Sequence, residues 1–349
     1  MSSSTSQDST ADDRPLVILQ PAPQRSERIF TASARMELES SFRVVDLEDD
    51  DDPASFEAAL PEAFAIIGQP ELPAARLARA TRLRAICNVE GNFFPNVDYP
   101  AAFARGIHVL GCGPAYAQAV AEFALGLALD LCRGISREDR AFRSGTERYV
   151  SAGNTDAILL RGARVGLIGY GNLGRALRPL LDAFDVDLRV YDPWLPDRAL
   201  ADWGLVPASL EELLRRSQVV FMLATVTADS EHLLGAGELA MLSDGARLVL
   251  VSRAAVVDYD ALWAELVSGR ILAGVDVWPL EPVPADDPYR RLDNLVFSGH
   301  RAGGIPQAFQ QIGDMVVDDL RQLARGLPPV RMQAAAPELV GRYRNRPVT

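Results

Sequence analysis

Lysine is absent. All 35 basic residues in the 349-residue chain are arginine, so chemistry that needs a lysine amine, such as Schiff-base formation or the phosphate-gripping lysine of a P-loop, is excluded. Histidine is scarce, with His108, His232 and His300 alone, which leaves few candidates for a proton-transferring imidazole. Cys87, Cys112 and Cys132 are odd in number and show no C-x-x-C spacing. Neither a disulfide framework nor a zinc site is indicated, and buried thiols in a reducing, cytoplasmic compartment are the expectation. No unbroken apolar run is long enough to cross a bilayer. Met1–Asp13, rich in Ser, Thr and Asp, lacks the basic and apolar segments of a secretory signal and reads as a disordered tail. A cationic surplus is missing too: the net charge of −12 argues against nucleic acid or an anionic membrane as partner.

What remains is a chain long enough for two domains of ordinary size. Short apolar runs alternate with segments of helical period, an α/β pattern. The first series of strands is expected at Pro15–Gln20, Phe42–Leu47, Ala63–Gly68, Leu83–Asn88 and His108–Leu110. Ala117–Ile135 reads as a helix apolar on most of its surface but interrupted by Glu122 and Asp130, hence buried between layers. Ser136–Thr155 shows no clear period. A second series follows at Ala163–Ile168, Asp187–Tyr191, Gln218–Leu223, Ala246–Val251, Ile271–Val275 and Leu295–Phe297, six strands, the count of a doubly wound dinucleotide fold. Pro306–Gly326 is one more amphipathic helix. The acidic run Glu48–Asp52 is a solvated loop.

The strongest local signal is Gly169-Tyr170-Gly171-Asn172-Leu173-Gly174, a G-x-G-x-x-G that closes a strand and opens a helix. Gly169 permits the tight turn, Gly171 lets the backbone approach a pyrophosphate, and Gly174 lets helix and strand pack closely, with the helix N-terminus facing the anion. Asp192 ends the next strand, 18 residues past Gly174, where an acidic residue accepts from the adenosine ribose and repels a 2′-phosphate. That favours NAD over NADP, although Arg198 just beyond could reach such a phosphate.

Reduction of a 2-keto acid needs a proton donor, a cation for the carboxylate and a partner that tunes the donor. His300 stands at a strand end, where such sheets place their sites; His108 lies in a strand and His232 follows a polar loop. Here the chain resembles the D-isomer-specific 2-hydroxy acid dehydrogenase family, from about Asn96 to Gly304. The matching stretches are Asn96-Val-Asp98, Ala104-Arg-Gly-Ile107, Pro114, Ala119-Val-Ala-Glu122 and the glycine motif. They continue through Ser252-Arg253, Val257-Asp258, Ala273-Gly-Val-Asp-Val277, Glu281-Pro282, Asn294-Leu-Val and His300-Arg-Ala-Gly303. The resemblance implies that Arg253 binds the substrate carboxylate, His300 is the acid/base and Glu281 hydrogen-bonds it. It further implies that Asp276 supports the nicotinamide, with Thr225 and Ser252 near the cofactor.

It also implies two Rossmann-like doubly wound domains. A flavodoxin-like substrate domain, 14–116 with 305–329, would enclose an inserted NAD-binding domain, 117–304, with 330–349 a C-terminal tail. A homodimer through the cofactor domain is implied as well. The sequence departs from the family around the substrate: Val89-Glu90-Gly91-Asn92-Phe93-Phe94-Pro95 stands where a shorter glycine-rich turn normally gives backbone N–H groups to the substrate carboxylate. A carboxylate at Glu90 facing an anionic substrate is costly, so Glu90 is expected to point away; the alternative is a substrate that brings it a hydroxyl or an amine. Ala254, Val251, Thr225 and Gly299 replace the usual Gly, Asn, Pro and Pro. Two other functions stay open at this point, an NAD-sensing corepressor of the same fold and formate- or phosphite-type dehydrogenation.

Overall fold

The computed structural model describes residues 12–50, 52–227, 229–340 and 342; most of the expected N-terminal tail lies outside them. The chain forms two compact units, one of residues up to Gly113 with Phe309–Val340, the other Pro114–Ala308.

In the first unit the strands β1 (Leu16–Gln20), β2 (Arg43–Asp46), β3 (Ala63–Gly68), β4 (Ala85–Asn88) and β5 (His108–Gly111) pair in parallel in the order β5-β4-β3-β1-β2. Their Leu, Ile and Val residues are buried, except in the edge strand β2 where Val44 and Val45 are half-buried, because helices cover a parallel sheet on both faces. This is the doubly wound order of a flavodoxin-like sheet.

The second unit holds β6 (Arg164–Ile168), β7 (Asp187–Tyr191), β8 (Val206–Pro207), β9 (Val219–Met222), β10 (Arg247–Leu250), β11 (Leu272–Val275) and β12 (Leu295–Phe297), all parallel, in the order β12-β11-β10-β9-β6-β7-β8. That is the strand order of a full dinucleotide-binding sheet with one strand added beyond it. The sheet therefore has seven strands where six were expected. The added strand is β12, whereas the one not expected is β8, the third strand of the dinucleotide order, two residues ending in proline and too short to carry a period.

Two further segments differ from expectation. Ile135–Ser144 is a helix, although Ser136–Thr155 shows no period, because none of its side chains is buried. Glycines in left-handed conformation bound it on both sides, Gly134 (φ +67°) and Gly145 (φ +69°). Within 330–349, where a tail was expected, β13 (Gln333–Ala334) pairs antiparallel with β5. Buried Asp319 draws this segment in by accepting from the backbone N–H groups of Val330, Arg331 and Met332.

Gly113–Arg133 is long and apolar enough to cross a membrane by length and composition, yet half of it is buried. Val120, Ala121, Ala124, Leu127, Ala128 and Leu131 recur at helical spacing and pack with Val165, Leu167 and Phe221 of the second sheet. It is a core helix. All three cysteines are buried, and burial pushes the Cys87 and Cys132 thiols up, away from reactive thiolate.

Candidate active site

Register alone gathers the sequence-predicted residues of the second unit along one edge. Ile168 pairs with Tyr191 and Met222, Met222 with Leu250, Leu250 with Val275, and Val275 with Phe297. The strands thus end level with one another. Gly169, Asp192, Thr225, Ser252, Arg253, Asp276 and His300 each follow one of those ends within three residues, at the carboxyl edge where open α/β sheets bind ligands.

At Gly169 the backbone has φ +94°, and a Cβ there would stand 2.9 Å from the backbone of Ala224, so only glycine fits. A Cβ on Gly174 would meet the Gly169 carbonyl oxygen at 2.9 Å, whereas one on Gly171 would meet nothing within 4 Å. The first contact shows how closely helix and strand approach. The open space at Gly171 is what a pyrophosphate needs above the N-terminus of the helix Asn172–Asp182. Asp192 is pinned: one carboxylate oxygen accepts from Tyr170 N–H at 2.7 Å, the other from Trp194 N–H at 2.9 Å. The Ser252 hydroxyl is buried and has no partner among the described residues, an unmet polar group beside Arg253. Tyr170 is buried, Asn172 and Leu173 are half-buried, and Thr225 is exposed. A dinucleotide fits this donor set.

His300 is paired with Glu281 at this edge. Its Nδ1 lies 2.7 Å from Glu281 Oε2, and Glu281 Oε1 accepts from Trp278 N–H at 2.9 Å. With Nδ1 held by a carboxylate, Nε2 is the nitrogen left for exchange with a ligand. His300 sits at φ +49°, a conformation that costs a non-glycine residue roughly 1–2 kcal/mol. Asp276 holds it there. The Asp276 carbonyl accepts His300 N–H at 2.7 Å. Its buried carboxylate accepts from Ser298 Oγ at 2.6 Å and from the N–H groups of Arg301 and Ala302 at 3.0 Å each. Asp276 thus holds the turn that presents His300.

Arg253 follows β10 on extended backbone, half-buried, and its Nη1 donates to the Ser252 carbonyl at 2.7 Å. Of the other histidines, His232 is exposed and His108 opens β5.

Sequence reasoning missed two residues here. Ser298 bonds Asp276, and Trp278 binds both ends of the turn: its N–H reaches Glu281 and its indole Nε1 donates to the Ser298 carbonyl at 2.8 Å. The Trp278 ring is packed by Tyr259, Tyr289 and Phe297, at 6.0, 5.7 and 6.4 Å between centroids. Burial pushes the Tyr259 and Tyr289 hydroxyls up, so both stay neutral donors, to the carbonyls of Val277 and Tyr259. The one available signal was the tryptophan lying between Asp276 and Glu281.

In the first unit the expected substrate loop is held by side chains. Val89 N–H donates to Gln69 Oε1 at 2.7 Å, so that backbone donor is taken. Glu90 is half-buried, with Oε1 accepting from Gln24 Nε2 at 2.6 Å. Gly91 and Asn92 are half-buried too.

Comparison with known proteins gives this arrangement its relatives. The family model for the NAD binding domain of D-isomer specific 2-hydroxyacid dehydrogenase matches residues 125–302. A D-3-phosphoglycerate dehydrogenase of Archaeoglobus fulgidus is 30% identical over 76% of this chain and 50% of its own length, so the chain spans about half of that relative. A hydroxypyruvate reductase of Thermotoga maritima is 31% identical over 64% of this chain and 72% of its own. The crystal structure of a phosphoglycerate oxidoreductase from Rhizobium etli superposes with a TM-score of 0.85 at 44% identity, covering 93% of this chain and 99% of that one. With the glycine turn and the His–Glu pair already standing on a dinucleotide sheet, these matches place the chain in the family of D-isomer specific 2-hydroxyacid dehydrogenases.

Proposed function

We propose that the protein interconverts small 2-keto acids and D-2-hydroxy acids, with NAD(H) preferred to NADP(H), His300 as acid/base, Glu281 as its orienting carboxylate and Arg253 as the anchor of the substrate carboxylate. The observation that carries the reading is the 2.7 Å contact between His300 Nδ1 and Glu281 on the carboxyl edge of the dinucleotide sheet. The relatives' names, phosphoglycerate dehydrogenase and hydroxypyruvate reductase, set the size of substrate considered.

In the reducing direction protonated His300 gives the proton on Nε2 to the keto oxygen and becomes neutral, while Glu281 keeps its hold on Nδ1 and orients the ring. In the oxidising direction neutral His300 takes the hydroxyl proton back. Arg253 meets a carboxylate with a planar, charge-assisted fork and so aligns the carbonyl. Gly169, Gly171 and the N–H groups of Asn172, Leu173 and Gly174 would hold the pyrophosphate, Asp192 the adenosine ribose, and Ser252 and Thr225 the nicotinamide end. Bound there, the nicotinamide supplies or removes the hydride at the substrate carbon. Asp276 and Ser298 serve as positioning residues that fix the backbone of His300. NAD is preferred because a 2′-phosphate would be repelled by the Asp192 carboxylate at the ribose position.

The test is steady-state turnover of a panel of 2-keto acids with NADH and with NADPH. Reduction of at least one keto acid, faster with NADH, is expected. NADH binding with no turnover across the panel would overturn the reading and leave a sensor of cofactor occupancy.

A further inference from the structure

Glu281 stands on irregular backbone. From Asp276 to Asp287 the chain leaves β11 and enters neither a helix nor a strand, so no ladder of backbone bonds lies beneath the carboxylate that meets His300. The other member of the pair is better secured. The Asp276 carbonyl accepts His300 N–H at 2.7 Å, and Gly303 lies so close to the helix Gly113–Arg133 that a Cβ there would stand 3.2 Å from Tyr116 and 3.3 Å from Val120.

One residue supplies donors to both members. Trp278 N–H donates to Glu281 Oε1 at 2.9 Å, the oxygen that His300 does not use. At the far end of the same residue the indole Nε1–H donates at 2.8 Å to the Ser298 carbonyl, two residues before His300. A phenylalanine ring would fill much of that space and offer no donor at its edge.

The indole is itself held in orientation. It is 9% exposed, and the rings of Tyr259, Tyr289 and Phe297 meet it at 54°, 72° and 74°. Trp263 in turn meets Tyr289 edge-on, 5.0 Å between centroids. Tilted and edge-on contacts set the angle of a ring as well as its distance. Tyr259 opens the helix Tyr259–Val267, and its hydroxyl donates to the carbonyl of Val277, the residue before Trp278. The aromatic column thus ties Trp278 to a regular element, which the chain around Glu281 lacks.

We infer that Trp278 is the positioning residue of the acid/base pair, holding Glu281 through its backbone N–H and the approach to His300 through its indole, so that the two side chains keep their 2.7 Å contact. Its part in turnover rests on the reading of the protein as a 2-hydroxyacid dehydrogenase; the clamp itself does not.

The test is Trp278→Phe, which keeps a ring in the column and removes the indole donor, with Tyr259→Phe as a second variant that leaves both Trp278 bonds in place. NADH binding measured on each shows that it is folded. Hydrogen exchange in peptides covering 276–302 should quicken by roughly tenfold in Trp278→Phe, while peptides covering Gly169–Gly174 keep their rates. In steady state kcat for the best keto acid should fall roughly tenfold, with KM and NADH affinity held. That loss should persist in an Arg253→Ala background and shrink to less than about twofold in Glu281→Ala, where the His300 ring is free to turn and the clamp has nothing to align. Tyr259→Phe should move exchange and kcat in the same direction by about threefold. Unchanged exchange in both variants would overturn the clamp. Faster exchange with kcat unchanged, or a loss of the same size in the Glu281→Ala background, would make Trp278 a structural support and overturn the positioning role. A wild type that reduces no keto acid would overturn the dehydrogenase reading and with it the part in turnover, and exchange would still decide the clamp.

Discussion

The carboxyl edges of the two sheets are built by different means. Along the second sheet the functional groups are fixed by backbone: Gly169 by its left-handed turn, Asp192 by the N–H groups of Tyr170 and Trp194, His300 by the Asp276 carbonyl. Along the first sheet the equivalent positions are fixed by side chains, Gln24 on Glu90 and Gln69 on Val89, with amide atoms left unpartnered. A backbone-built edge tolerates few substitutions because each one displaces the chain itself. A side-chain-built edge can exchange its polar groups and keep the sheet.

Substitutions along the second edge should break that contrast by making it fail chemically, and the largest effect belongs to His300. His300→Ala removes the proton donor and should lower keto acid reduction by about 10²–10⁴-fold, with NADH affinity unchanged by fluorescence titration. Arg253→Ala comes next, since a charge-assisted anchor is lost. The expected fall in kcat/KM is roughly a hundredfold, with KM raised as well as kcat lowered. Asp192→Ser should leave the best keto acid unchanged and move the NADH to NADPH ratio toward NADPH by about tenfold. Equal use of both cofactors by the wild type would mean that Arg198 governs the ribose position. The smallest effect is that of Ser298→Ala, which takes one bond from buried Asp276 and acts on His300 only through the turn. It should lower kcat by roughly three- to tenfold with KM and NADH binding held, and Ser298→Thr should restore it. A change in NADH affinity instead would make the serine a general structural support.

How much of this was legible in the sequence follows the same division. Eleven strands and the glycine turn could be read because buried parallel strands are continuous apolar runs and a dinucleotide turn has few sequence solutions. The helix Ile135–Ser144 could not, since a helix that buries nothing has no stripe. Nor could β8 and β13, two residues each, whose existence depends on the strand beside them. His300, Glu281 and Arg253 could be named from motif context. The work of Asp276 could not, because its partners Ser298, Arg301 and Ala302 lie 22 to 26 residues away and meet it only through the pairing of β11 with β12. Gln24 is 66 residues from Glu90, a contact that no local pattern announces.

The central claim, that the second sheet's edge transfers hydride to a keto acid and delivers the D product, is tested most directly with NADH deuterated at the transferable position of the nicotinamide. Incubated with the best keto acid of the panel, the protein should yield a 2-hydroxy acid that carries deuterium on the hydroxyl-bearing carbon and elutes as the D enantiomer on a chiral column. A product without deuterium at that carbon, or one of L configuration, would contradict the account.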